Sequence, residues 1–188
     1  MFITKKSIIG IIKLAGIIST ENRLGSRGGL NLNDLSDSIT KAFSFKNIKA
    51  IALLVNSPGG SPVQSALIAN RIRDLAKEKE IPVYCFIEDL AASGGYWLSC
   101  AGDKIYAMES SIIGSIGVIT SGFGAVEAIK KIGIERRVYS QGKNKGLLDP
   151  FLPEKKDDIK QILSIQKDLH SQFIAWVKKR RGKRLKAN

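Results

Sequence analysis

The 188-residue chain is long enough for one sizeable core and too short for two, so a single domain over residues 1–188 is expected. Apolar residues make up 44% and charged residues 25%, a composition that excludes general disorder. Lys and Arg outnumber Asp and Glu by 30 to 17, a formal charge of +13, which favours contact with an anionic partner.

The N-terminal stretch MFITKKSIIGIIKLAGIIS sets two lysines before an apolar run, as a secretion signal does. Lys13 cuts that run short, no A-x-A cleavage site follows, and no apolar stretch reaches the ~20 residues that span a bilayer. Residues 7–18 therefore read as a buried strand with a turn or bulge. The expected location is cytoplasmic or peripheral to a membrane. Leu32, Leu35, Ile39, Ala42 and Phe43 recur at helical spacing. The runs AIALLV (50–55) and IPVYCFI (81–87) are continuously apolar, as strands covered on both faces are. Between them Ser61 fits an N-cap, Pro62 the first helical position and Gln64 the capping-box partner, with Val63, Leu67, Ile72, Leu75 and Ala76 as the apolar face. This is a β-α-β unit.

A short helix from about residue 93, a strand at KIYAM, the glycine-rich segment SIIGSIGVIT, a helix over about 123–131 and a strand at ERRVYS follow. From Pro153 to about Arg181 one long helix is expected, with Ile159, Ile162, Gln166, Leu169, Phe173 and Val177 on a stripe. Its acidic start and basic end suit the macrodipole. Repeated β-α-β units with parallel strands and a long C-terminal helix define an α/β fold. The run KKRRGKRLK (178–186) holds seven basic residues in nine. It reads either as a solvated helix end or as a patch for an anionic membrane surface. Nucleic acid is not expected, because no aromatic residues interleave with the basic ones.

Cys85 and Cys100 lie in apolar segments without metal-like spacing and read as reduced core residues. His170 is the only histidine, which removes multi-histidine metal schemes and most Ser-His schemes. No metal or other cofactor is expected.

Two motifs carry chemistry. In NSPGGSP (56–62), adjacent glycines between a strand and a capped helix leave backbone N–H groups open to a carbonyl oxygen, although a plain tight turn explains them equally well. In EDLAASGGYWLSC (88–100), Ser93 sits at a strand-to-helix junction among small residues, which serves either close packing or a nucleophile that a peptide backbone must reach. This is not the G-x-S-x-G elbow, since Ala91 stands two residues before Ser93. A serine nucleophile needs a base. With His170 far along the long helix, lysine is the remaining usual choice, and SQGKNKGLLDPF (140–151) offers Lys143 and Lys145. A lysine base must be neutral, which requires burial or neighbouring cations.

NSPGGSPVQS, EDLAASGGYWLSCAGDKIYA, SSIIGSIGVI and YSQGKNKGLLDPFLPE, in this order, closely resemble the S49 peptidase family, the signal peptide peptidase A group with its short single-domain members. The resemblance implies a Clp protease/crotonase-like fold and a Ser-Lys dyad. It implies Ser93 as nucleophile. It gives Lys145 as general base, three residues after the glycine of an S-G-x-x-K motif with one extra residue after Ser140. It implies Gly60 and Gly94 as oxyanion donors and Ser115 as a hydroxyl that orients the lysine. The function so implied is a serine endopeptidase acting on apolar peptides such as signal peptide remnants, in a homo-oligomer. Similar proteins carry an N-terminal anchor or continue past RRGKRL, so the chain is expected to be shortened at its C-terminal end. The rivals are a crotonase-like acyl-CoA enzyme and a non-catalytic scaffold with a basic tail.

Overall fold

Burial alternates along the first strand, β1 (Ile8–Ala15): Gly10, Ile12 and Leu14 face inward, while Ile9, Ile11 and Lys13 face out. The computed structural model describes residues 6–20, 29–142 and 145–186. It divides into two compact units, residues 1–117 with 172–188, and residues 118–171.

In the first unit β1 is followed by α1 (Leu32–Ser44), β2 (Ile48–Ser57), α2 (Pro62–Glu78), β3 (Val83–Ala92), α3 (Gly94–Ser99), β4 (Lys104–Ala107) and β5 (Ile112–Gly114). The strands lie in the order β1-β2-β3-β4, all parallel, and β5 adds to the far end of β3 through Leu90↔Ile112 and Ala92↔Gly114. Each of the first three connections is a helix, as parallel neighbours require. The expected α/β architecture of β-α-β units is therefore present. Ile12, Leu14, Ile51, Leu53, Val55, Val83, Cys85 and Ile87 meet Ile39, Phe43, Ile68, Ile72, Leu75 and Leu98 in one buried core. Each such side chain contributes roughly 1.5–3 kcal/mol when fully buried.

Several local expectations of the first unit need correction. β1 is buried on one face only, with Ile9 and Ile11 61% and 64% exposed, and the interior strand β3 alternates likewise, with Phe86 40% exposed, so neither β1 nor the run 81–87 is covered on both faces. The expected irregularity is present as a register shift between Ile8 and Ile9. The face of α2 is rotated from the expected stripe: Val63 and Leu67 are exposed, and Ser65, Ile68 and Ala69 are buried with Ile72, Leu75 and Ala76. Ser61 does cap α2, accepting from the Gln64 N–H at 3.3 Å. The Gln64 side chain, however, accepts from the N–H of Leu32 at 2.8 Å, and the Ser61 N–H donates to Ile18, so the reciprocal half of the capping box is replaced by tertiary bonds.

The second unit contains α4 (Val126–Lys131) and the start of the long helix α5 (Lys156–Arg181), whose end, from Gln172, belongs to the first unit. ERRVYS is not a strand. Its charges bond locally instead, Arg137 to Glu135 at 2.7 Å and Arg136 to Asp149 at 3.1 Å. On α5 only Phe173 and Val177 of the expected stripe are buried; Ile162, Gln166 and Leu169 are half-buried and Ile159 is exposed.

Candidate active site

The carboxyl ends of β2 and β3 converge with the start of α3. Between Val55↔Ile87 and Ser57↔Ala91 the register shifts, so that β3 carries extra residues just before Ala92 and Ser93. Bulges of this kind re-aim a strand end. Past β2, Ser57 Oγ donates to the Gly16 carbonyl at 2.6 Å and accepts from the Gly59 N–H at 3.1 Å. The Ile18 N–H donates to the Gly59 carbonyl, and the Ser61 N–H to the Ile18 carbonyl, both at 2.8 Å. In that parallel bridge the N–H of the central residue, Gly60, is directed away from Ile18. Gly60 is exposed.

Glycine is required on both sides of this junction. A Cβ on Gly60 (φ 139°) would lie 2.0 Å from the Ile18 carbonyl oxygen; one on Gly59 (φ 96°) would lie 2.6 Å from the Gly94 nitrogen and 2.9 Å from the Ser93 Cβ. Gly94 is buried, and a Cβ there would meet Ser65 Oγ at 2.4 Å. The missing side chains let the turn after β2 touch the start of α3.

Ser93 is half-buried and is the N-cap of α3, with φ 51° and ψ −121°. A non-glycine residue held there costs on the order of 1–3 kcal/mol and persists because its surroundings fix it. Its N–H donates to Gly114 at 2.8 Å, and its carbonyl accepts from Tyr96 and Trp97 at 2.9 and 3.0 Å. Its side chain makes no capping bond to α3. Ser115, exposed and at φ 54°, directly follows Gly114. Ser93, Gly94, Gly59, Gly60 and the Gly114–Ser115 segment thus meet at one place.

Lys145 belongs to the second unit. It is exposed on a turn whose backbone bond runs from the Lys145 N–H to the Gly142 carbonyl at 3.3 Å. Lys143 lies outside the described residues. Among the described residues no group of three His, Cys, Asp or Glu is placed to hold a metal ion.

Sequence reasoning missed the buried hydroxyls Ser57 and Ser65, and it missed Asp103. Partial burial pushes the Asp103 carboxyl up, but the Val83 N–H, the Arg180 hydrogen bond and the Arg73 and Arg180 charges outweigh burial and hold it below the usual range. The two cysteines are free and buried, as expected; burial pushes the Cys85 thiol up to about 12 and the Cys100 thiol to about 11.

Residues 75–187 match the model of peptidase family S49. The chain is 49% identical to a Brucella melitensis protein named Na(+)/H(+) antiporter NhaA over 96% of this chain and 24% of that protein. It is 34% identical to the Arabidopsis thaliana protein named Serine protease SPPA, chloroplastic, over 79% of this chain and 23% of that one. The chain therefore spans about a quarter of the length of either relative. A solved ClpP1 mutant from Listeria monocytogenes aligns with 50% of this chain and 46% of its own at 22% identity and a TM-score of 0.37. No described helix is long and apolar enough to cross a membrane.

Proposed function

The chain belongs to peptidase family S49, and from that premise we propose that it is a serine endopeptidase with Ser93 as nucleophile and Lys145 as general base. The observation that carries the reading is the backbone at Ser93: a left-handed serine at a strand-to-helix junction, with the buried Gly94 beside it and the exposed Gly60 across from it. Neutral Lys145 takes the Ser93 proton as Oγ attacks the scissile carbonyl. The N–H groups of Gly60 and Gly94 donate to the oxyanion, where one well-placed donor is worth roughly 2.7–4 kcal/mol. The protonated lysine then gives its proton to the leaving amine, and water releases the acyl group. Ser115 orients the lysine by its hydroxyl.

Apolar peptides, such as signal peptide remnants, are the substrate class. Exposed Ile17, Ile112 and Ile113 neighbour the residues that bond Gly59 and Ser93, which supports an apolar peptide at that end of the sheet. A homo-oligomer is supported by the second unit: none of its described residues is buried, and Ile119, Phe123 and Tyr139 are 86%, 92% and 92% exposed. Exposed apolar surface on that scale marks an interaction site. Lys145 is exposed, so the shielding a lysine base requires is left to bound peptide or an assembled neighbour. Peripheral contact with an anionic membrane is supported by the exposed Lys178, Lys179, Lys183 and Lys186.

The test is covalent labelling by a fluorophosphonate, read by mass spectrometry, beside hydrolysis of an apolar reporter peptide. Labelling on Ser93 and loss of both signals in Ser93→Ala are expected. An unlabelled Ser93 in folded protein overturns the reading and favours a crotonase-like enzyme or a scaffold.

A further inference from the structure

A helix of six residues spans only about 9 Å and leaves its final carbonyls without intrahelical partners. In α3 those of Tyr96, Leu98 and Ser99 accept from the N–H groups of Cys100, Ala101 and Gly102, while the Trp97 carbonyl and the carbonyls of the turn that follows are taken up by α5, about 80 residues further along. The Trp176 indole donates to the Trp97 carbonyl at 3.0 Å. Arg180 donates from Nε to the Cys100 carbonyl at 2.9 Å and from Nη2 to those of Ala101 and Gly102 at 3.4 and 3.3 Å. The same Nη2 reaches Asp103 at 3.0 Å, whose carboxylate also holds Arg73 at 2.9 Å and the Val83 N–H at 2.9 Å. Trp97 packs on Trp176 and Phe173, with ring centroids 6.2 and 4.9 Å apart. One guanidinium therefore ties the exit of α3 to the sheet, while the entry of α3 is Ser93 in a strained backbone.

We propose that Arg180 is a positioning residue for Ser93: by bonding the carbonyls of Cys100, Ala101 and Gly102, the turn in which α3 ends, it holds the helix whose N-cap is the nucleophile. The proposal rests on the reading of Ser93 given above. Strain at Ser93 lasts only while its surroundings fix it, and a helix this short is not held by its own hydrogen bonds. Freed at its far end, α3 rotates or frays, and Ser93 relaxes out of the left-handed region. Lysine cannot replace the fork, since a single ammonium does not span three carbonyls and a carboxylate.

The test compares the full chain with Arg180→Gln, Arg180→Lys and Phe43→Leu, the last a core change in α1 that weakens the fold without touching α3. Fluorophosphonate labelling is resolved into its limiting rate and half-saturating concentration, and amide hydrogen exchange is followed at Tyr96 and Trp97, well below each Tm. Arg180→Gln should slow the limiting rate about tenfold at unchanged half-saturation, and speed the two amides about tenfold. Arg180→Lys should recover part of both, and Phe43→Leu should change neither. Wild-type exchange at Tyr96 and Trp97 in Arg180→Gln overturns the proposal, as does an equal change in Phe43→Leu. Should Arg180→Gln not fold, Arg180→Lys decides by the same two measurements. If the wild type is not labelled at all, the nucleophile assignment falls, while exchange at Tyr96 and Trp97 still judges the clamp.

Discussion

The backbone N–H of Ser93 donates to the carbonyl of Gly114 at 2.8 Å. The bond closes the last pair of the β3–β5 ladder, Ala92↔Gly114, so Ser93 and Ser115 leave the sheet from adjacent positions. Both turn through the left-handed region, at φ 51° and 54°. Strained backbone of this kind clusters at functional sites, and here it supports the proposed reading of Ser93.

Ser93→Ala should abolish peptide hydrolysis and fluorophosphonate labelling while the fold survives, because only a hydroxyl is removed and that hydroxyl makes no capping bond. Ser93→Gly should be equally inactive but more stable than Ser93→Ala, by about 1 kcal/mol, since glycine accepts positive φ without cost. Turnover by Ser93→Ala in a preparation free of other peptidases sinks the mechanism. Denaturant unfolding of the two variants checks the strain.

Gly59→Ala should damage both stability and activity. The new methyl would sit 2.6 Å from the Gly94 nitrogen and 2.9 Å from the Ser93 Cβ, all backbone or near-backbone atoms that cannot swing aside. A loss of roughly 1–3 kcal/mol is expected, with labelling of Ser93 slowed in the folded fraction. Gly122→Ala, where an added Cβ meets nothing within 4 Å, should be silent in denaturant unfolding.

Local patterns made much of this legible. Ser61-Pro62 announced the start of α2, and continuous apolar runs announced β2 and β3. What stayed hidden depends on distant partners. Every residue from Ile8 to Ile12 is apolar or glycine, so the alternation of an edge strand cannot be seen in β1. Ser65 rather than Val63 faces inward because Gly94 leaves room for it. Ser93 and its glycines stood out in the sequence as motifs with two readings, and the resemblance to the S49 family chose between them, but nothing in the sequence pointed to Arg180, Trp176 and Asp103. Their bonds to α3 and to one another cross 77–80 residues, and the basic run around Arg180 looks uniformly solvated in the sequence.

Two lysines compete for the role of base. Lys145 stands on a turn and Lys143 lies outside the described residues, so direction does not choose between them. The register of the S-G-x-x-K motif favours Lys145. Lys145→Met should remove hydrolysis and Lys143→Met should only reduce it, with steady-state kinetics as the measurement. The reverse outcome reassigns the base to Lys143.

Asp103 should make the α3–α5 contact acid-sensitive. Its folded pKa is depressed, so its stabilising effect is present above the unfolded carboxylate value of about 3.9 and is lost as pH falls through the lower folded value. Protonation would leave Arg73 and Arg180 facing each other without their shared anion. Asp103→Asn should therefore have a lower Tm than wild type at pH 7, and the gap should close below about pH 4. A gap that is constant across that range would contradict the assignment.

The basic end of α5 must be divided before its membrane role is tested. Arg180 and Arg184 are spent on carbonyls of the first unit, Arg184 donating to those of Asp103, Arg181 and Arg180, so replacing them confuses surface charge with folding. Lys178, Lys179 and Lys183 are exposed and free of that duty. Near an anionic bilayer each lysine contributes roughly 1 kcal/mol, screened over a Debye length of about 10 Å at 0.1 M salt. Sedimentation with phosphatidylserine-containing vesicles should therefore recover the intact chain at low salt, less of it as salt rises, and little of it with neutral vesicles. Changing Lys178, Lys179 and Lys183 together to Gln should lower recovery on the anionic vesicles without altering labelling of Ser93. Equal recovery on both lipids would leave these lysines as the basic end that suits a helix C-terminus, and the peptidase reading would stand unchanged.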